Sequence, residues 1–481
     1  MSQDVPDPEL RAALHRAADM IADYLQDVGQ YPVLPRVSPG EVDALLSGAP
    51  PLEGESLNAI LDDYARIIEP NITHWNHPGF LGYFSITGSG PGIVGEALSA
   101  ALNVNAMLWR TSPAATELEE RVCDWLRQML GLPELFRGHI NDTASISTML
   151  ALAAARHSQS DLRIRDLGLA GRADIPELVV YTSDQAHSSC DKAAMTLGLG
   201  LEHVRRIESD RDFRMSFESL VEAIDSDRRA GRRPIAVVAT AGTTSTTSVD
   251  PIDRIAELCR REGIWLHVDA AYAGSAAICP ELRKEFAGWE QADSIVFNPH
   301  KWLFTPIDCS VLLMRDVDAL RSAFSLVPEY LKTDEEGVTN LMDLGVQLGR
   351  RFRALKLWMV IRAFGVEGLQ ARIREHCRMA RDLASTIESD PDFEVVAPVP
   401  FSVVCFRWRA GNSPVEQDSQ NEALLNEINA QGPVLLSSTS LEGRYTLHLA
   451  IGNLKTTEQH IQDAWDLIRS TADRLSAAQP G

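Results

Sequence analysis

The sequence predicts an α/β protein: a mainly parallel sheet with helices on both faces, followed by a small α+β carboxyl-terminal domain. Two observations carry that expectation. Between about 90 and 358, short apolar runs (LVVYT at 178, IAVVAT at 235, IWLHVD at 264, SIVF at 294, SVLLM at 310) alternate with helical patterns, as βα units do. Beyond 359, helix-like segments flank FSVVCFRW and RYTLHLAI.

Three segments follow in order. Residues 1–89 read as an arm, with a helical opening (PELRAALHRAADMIADYLQDV), a Pro-rich stretch (YPVLPRVSPG) and an aromatic segment (HWNHPGFLGYF). Residues 90–358 form the large domain. One of its helices can be bounded closely: Ser112 suits the N-cap, Pro113 the first turn, and Gly131 the stop before Pro133. Leu118, Val122, Trp125, Leu126 and Met129 give it one apolar stripe. KTDEEGVTNLMDLG, just past Tyr330, reads as a long exposed loop of the kind that often carries function. Residues 359–481 form the small domain. GPGIVG at Gly90 matches the dinucleotide pattern GxGxxG, but FSITGSG before it is no buried strand, and Glu117 falls inside a predicted helix. A loop and helix start are therefore expected there.

Bulk properties narrow the ligand. The 481 residues, 45% hydrophobic and 23% charged, can bury a large core in two or three units. A formal charge of −22 opposes binding to nucleic acid or an anionic membrane, so a small molecule is the expected ligand. The amino terminus carries no export-type apolar region, and MLALAAA from Met149 is far too short to span a membrane. Seven scattered cysteines without CxxC or zinc-type spacing fit a reducing cytoplasm and no metal site.

Ligands of open α/β sheets sit outside the carboxyl ends of the strands. The unusual polar residues fall there: Asp269 closes IWLHVD, His187 follows LVVYT, Thr243 and Thr244 follow IAVVAT, and Lys301 follows SIVF. NDTASIST leads into the helix-like MLALAAAR, which puts Thr143 and Ser145 near a helix N-terminus suited to phosphate. Alone, each has a bland reading as a cap, a surface lysine, a core histidine or a helix start. Together, a phosphate cradle, an amine able to take an aldehyde and an acid able to pair with a ring nitrogen are what pyridoxal 5′-phosphate requires. Lys301, partly desolvated, would take the aldehyde, and Asp269 would keep the pyridine nitrogen protonated. Ala271 would let the ring lie flat and His187 would stack on its other face. Thr244 would meet the phenolic edge, and Asn298 and His300 would help hold the phosphate.

YTSDQAHSSCDKAA, WLHVDAAYAGSAAICPE, ADSIVFNPHKWLF, LGRRFRALKLW and SPAATELEERVCDWLRQMLGLP resemble the group II pyridoxal phosphate decarboxylases, specifically the aromatic L-amino acid decarboxylases. The resemblance covers nearly the whole chain. It implies the fold-type I (aspartate aminotransferase-like) architecture, a homodimer with active sites at the interface, and decarboxylation of an amino acid to the amine. It assigns Lys301 to the cofactor aldehyde, Asp269 to the pyridinium, His187 to stacking, and Thr143, Ala144 and Ser145 to the phosphate. Tyr330, in PEYLK, matches the loop tyrosine that returns a proton to the substrate carbon. In relatives that make aldehydes this tyrosine or the stacking histidine is typically replaced; both are present here.

Departures from the family pattern concern the periphery. Asp142 and Ile146 stand where the family has glycine and glutamate, and Ser85 and Ile86 follow the aromatic pair where a threonine is expected. Asn105 and Met107 occupy a substrate wall that is normally apolar with an aromatic, while Trp75, Tyr83 and Phe84 still supply an aromatic lining. The expected substrate is aromatic: tryptophan, phenylalanine, tyrosine or dopa. An aldehyde synthase, a decarboxylase of an aliphatic amino acid, an aminotransferase and a silent scaffold on the same fold are the rival readings.

Overall fold

The computed structural model describes residues 5–326 and 337–477. Two compact units divide the chain. One comprises 1–85, 408–449 and 453–481, and the other 86–407 and 450–452. This partition differs from the three consecutive segments read from the sequence, because it groups the amino-terminal arm with the carboxyl-terminal segment.

In the first unit, α1 (Asp7–Asp27) and α2 (Leu57–Asp63) are joined by the Arg16 guanidinium, which meets Asn58 and Asp62. The strands Ser437–Leu441 and Arg444–Ala450 form an antiparallel hairpin. Asn453 ties the segment after that hairpin to the carbonyls of Trp75 and His77.

The second unit is organised by a seven-stranded sheet. Its strands are β1 (Arg137–Asn141), β2 (Leu178–Ser183), β3 (Val204–Ile207), β4 (Arg233–Thr240), β5 (Trp265–Asp269), β6 (Ser294–Phe297) and β7 (Ser310–Met314). The spatial order is β1-β7-β6-β5-β4-β2-β3. β3, β2, β4, β5 and β6 run parallel, and β7 is antiparallel to both of its neighbours. Strands β2, β6 and β7 are buried at every position, which explains why they read as unbroken apolar runs. β1 (RGHIN) and β3 (VRRI) were not anticipated, being short and polar.

Among the helices, α3 (Gly90–Leu102), α4 (Pro113–Leu130) and α5 (Ala144–His157) precede the long helix Ala354–Ser389. α5 is the central one. Its Leu152 and Ala155 pack with Leu178, Val180 and Ile235, and its Leu150, Ala151 and Ala154 with Leu312 and Met314. The helix is alanine-rich, which lets its axis approach the sheet closely. α4 starts and stops where expected, with Gly131 in the left-handed region at φ 74°, although the Ser112 side chain makes no capping bond.

GPGIVG is the first turn and a half of α3, as expected, and its second and third glycines serve packing. A Cβ on Gly95 would stand 2.6 Å from the Cα of Lys356 in the long helix, and one on Gly92 would collide with the Pro306 ring. Gly95→Val should therefore lower unfolding stability by about 1–3 kcal/mol through overpacking, seen as a reduced thermal midpoint. An unchanged midpoint would show that the two helices can separate without cost.

Candidate active site

β5 and β6 deliver the two residues on which the sequence argument turned. Asp269, the last residue of β5, is in register with Thr240 of β4 and Val296 of β6 and is 8% exposed. Its Oδ1 accepts the Ala271 N–H at 3.0 Å, a local Asp turn that fixes the carboxylate. After β6 the chain turns through Asn298 to Lys301, whose N–H donates to the Asn298 carbonyl at 3.0 Å. The Asn298 N–H in turn donates to the Ala271 carbonyl at 3.2 Å, so the two turns are stitched together. His300 is held by the Cys309 carbonyl through its own N–H (3.2 Å) and by the Cys309 N–H at its Nδ1 (2.9 Å).

Beneath these turns lies a contact that sequence reasoning did not single out. Tyr272 and Trp302 each immediately follow a motif, and they stack with ring centroids 4.9 Å apart and planes 4° from parallel. Both are buried, and each polar end is satisfied: Tyr272 Oη lies 2.6 Å from Ser402 Oγ, and Trp302 Nε1 donates to His376 Nδ1 at 2.9 Å. An aromatic residue at the same place in each of two short motifs was the available signal.

Electrostatics link three of the expected residues. Burial lowers the basicity of the Lys301 amine, and Asp269 opposes that shift. His187 is lowered by burial as well, raised by Asp269 and lowered again by Lys301. His187 Nδ1 accepts the Ser189 N–H at 3.1 Å, which leaves the ring proton of the neutral imidazole on Nε2.

The phosphate segment forms the start of α5. Thr143 is the N-cap, in an extended conformation and without a side-chain capping bond, and Ala144 and Ser145 open the helix. The first helical hydrogen bond is Ser147 N–H to the Thr143 carbonyl. The earlier amides therefore point out of the N-terminus, where an anion is favoured. His267 joins this helix to the strand that carries Asp269: its Nδ1 lies 2.9 Å from Ser294 Oγ on β6 and its Nε2 3.3 Å from Thr148 Oγ1 on α5.

The remaining expected residues divide clearly. Ala271 is 9% exposed, a small side chain where a flat ring could approach. Thr244 is exposed, whereas Thr243 is buried and bonded to Thr246 and Ser248. Asn298 is buried, and its Oδ1 has no partner among the described residues. Asn105 and Met107 are tied to one another, to Arg350 and to Met342. Trp75, Tyr83 and Phe84 belong to the other compact unit, where Trp75 stacks on Tyr83 and Phe84 meets the edge of His448. Tyr330 lies outside the described residues.

A buried pair supports the walls. Arg350 donates to Glu119 Oε1 (2.8 Å), to the Ile140 carbonyl (2.7 Å) and to the Ala106 carbonyl (3.4 Å), and Glu119 Oε1 also accepts the Ile140 N–H (3.0 Å). One ion pair thus holds the end of β1, just before the phosphate segment, and the loop carrying Asn105. Arg350 lies 210–244 residues from its partners in these bonds, a distance at which sequence pattern is silent.

A pyridoxal phosphate fits these groups: an anion-favouring helix start, a buried carboxylate, an amine of lowered basicity, an imidazole beside both, and a buried amide oxygen lacking a partner.

Two measurements test this description. Glu119→Leu should cost about 3–5 kcal/mol by leaving Arg350 buried without its acid, and Arg350→Leu added to it should restore part of the loss. The second concerns pH. Burial holds His267 down to about 4 and, reinforced by Lys301, His300 down to about 3. The unfolded chain therefore binds more protons than the folded one from about pH 6.5 downward, and stability is lost as pH falls through that window, by up to ~1.4 kcal/mol per unit for each group. The thermal midpoint should drop steadily from pH 6.5 to 4.5, and His267→Gln should make the drop shallower; an unchanged slope contradicts the assignment.

Comparison with known proteins agrees with this chemistry. The pyridoxal-dependent decarboxylase conserved domain matches residues 39–409. Tryptophan decarboxylase 2 of Oryza sativa subsp. japonica is 40% identical over 479 residues, spanning 97% of this chain and 95% of that protein. Phenylacetaldehyde synthase of Arabidopsis thaliana is 41% identical over 483 residues, spanning 97% and 96%. The crystal structure of Oryza sativa TDC with PLP and tryptamine superposes with a TM-score of 0.94 at 39% identity, over 99% of this chain and 100% of that one. The chain belongs to the pyridoxal-dependent decarboxylase family, as a fold-type I enzyme whose cofactor is pyridoxal 5′-phosphate and whose reaction removes CO₂ from an amino acid.

Proposed function

We propose that this enzyme converts an aromatic L-amino acid to its amine and CO₂. The observation that carries the reading is that His187, Asp269 and Lys301 follow or end the parallel strands β2, β5 and β6, with Asp269 opposing the loss of charge that burial imposes on both His187 and Lys301. Bound pyridoxal phosphate supplies an electron sink for the pair left behind when the carboxylate departs.

The chain's own residues supply the rest. Lys301 holds the aldehyde end, its amine made less basic by burial and so more available as a nucleophile. Asp269 is the anion for the ring nitrogen, and its bond from Ala271 keeps it from swinging away. Ala271 and His187 would hold the ring between them, and Thr244 would bond its phenolic oxygen. Thr143, Ala144 and Ser145 receive the phosphate, with Asn298 and His300 beside it. Tyr330 protonates the substrate carbon. Asn105 and Met107 line the side-chain pocket. The active form is a cytoplasmic homodimer with its sites at the interface, and residues 1–89, 90–358 and 359–481 act as arm, cofactor domain and small domain.

Relatives that act on tryptophan and tyrosine support the aromatic substrate. Retention of His187 and Tyr330 supports the amine as product. An aldehyde synthase is the second reading, because phenylacetaldehyde synthases are as similar to the chain as the decarboxylases are.

A panel of aromatic and aliphatic amino acids, assayed for amine, CO₂, aldehyde and peroxide, tests this. The expected result is amine and CO₂ in equal amounts from an aromatic substrate, without oxygen uptake. Aldehyde, ammonia and peroxide would establish the second reading, and turnover confined to aliphatic substrates would overturn the aromatic pocket. Lys301→Ala should reduce turnover by about a thousandfold or more.

A further inference from the structure

Asp142 is the one charged residue in the phosphate segment Asp142–Ile146. Its Oδ1 accepts the Thr143 N–H at 2.6 Å and the Thr143 hydroxyl at 3.2 Å. Those are donors that the proposed reading gives to the phosphate. The carboxylate thus competes for those donors at the N-terminus of a 14-residue helix.

A second set of partners faces its other oxygen. Gln347 Nε2 donates to Asp142 Oδ2 at 3.3 Å. Arg353, buried and bonded to Asp308 at 2.8 Å, lies within electrostatic reach: burial works against its charge, while Asp308 and, less strongly, Asp142 restore it. The carboxylate is held between two environments, the helix start on one side and a polar, cationic wall on the other.

We propose that Asp142 is an internal anion that occupies part of the phosphate cradle in the cofactor-free chain, yields Thr143 to the phosphate, and thereby sets how tightly the cofactor binds. This rests on the assignment of Thr143, Ala144 and Ser145 to the phosphate. Two consequences follow from electrostatics. The retained negative charge beside a phosphate weakens cofactor binding. The same charge, resting on the Thr143 donors, keeps the empty helix start capped and stabilises the apoprotein.

The test is a titration of the full-length apoprotein with pyridoxal phosphate, followed by the absorbance of the bound cofactor, for the wild type and for Asp142→Asn and Asp142→Ser. Pyridoxal, which lacks the phosphate, is titrated in parallel. Both variants should bind pyridoxal phosphate about tenfold or more tightly than the wild type. Their affinity for pyridoxal should stay within about twofold, and the apoprotein's thermal midpoint should fall. Using a near-isosteric and a smaller replacement guards against one of them failing to fold. Equal pyridoxal phosphate affinity in all three proteins overturns this inference alone, as does an equal gain for pyridoxal. Absence of pyridoxal phosphate binding in all three overturns the reading of the site and this inference with it.

Discussion

The site depends on a single backbone bond and the aromatic stack under it. The Asn298 N–H donating to the Ala271 carbonyl ties the turn after β5 to the turn after β6. Tyr272 against Trp302 fills the space behind both turns with two fully enclosed rings. Strand pairing alone would set the spacing of Asp269 and Val296, but Lys301 lies four residues beyond β6. The stitch and the stack add to the two His300–Cys309 bonds in holding the lysine's turn. With them, the acid and the amine are held by packed, low-mobility structure, which is what preorganised catalysis asks of a scaffold.

A second constraint fixes the start of α5, the segment proposed to receive the phosphate. α5 is buried against the sheet along most of its length, and His267 bridges it to β6 through Thr148 and Ser294. The Glu119–Arg350 pair then holds the end of β1, from which the chain enters α5. Cofactor groups at opposite ends of one small molecule are thus matched by protein groups fixed to one sheet. Buried polar residues carry this arrangement: they contribute little net stability but allow one geometry.

Much of this was legible in the sequence, and the reason is physical. β2, β4, β5, β6 and β7 are almost wholly buried, so they read as apolar runs, and a charged residue at the end of such a run stands out. Lys301 and Asp269 were visible for that reason. β1 and β3 were not, because Arg137 and His139 in the one and Arg205 and Arg206 in the other break up their apolar positions. His139 sits within reach of Glu119, and Arg205 of β3 pairs with Asp227 at 2.9 Å. Hydrophobic pattern cannot register a strand stabilised in that way. The packing of Gly92 on Pro306 and of Gly95 on Lys356 could not be read from the sequence, because both partners lie far along the chain. The grouping of residues 1–85 with the carboxyl-terminal segment was likewise invisible, since it rests on contacts hundreds of residues apart.

One lysine, Lys301, is proposed to hold the cofactor. The chain offers a genuine competitor: Lys356 is 1% exposed, lies 2.8 Å from Glu96, and is lowered by burial to about 8. Borohydride reduction of the protein loaded with pyridoxal phosphate, followed by peptide mapping, distinguishes them directly. The account predicts the pyridoxyl group on Lys301 in the peptide containing NPHKW. Its recovery on Lys356, or on any lysine other than 301, would contradict the site described above.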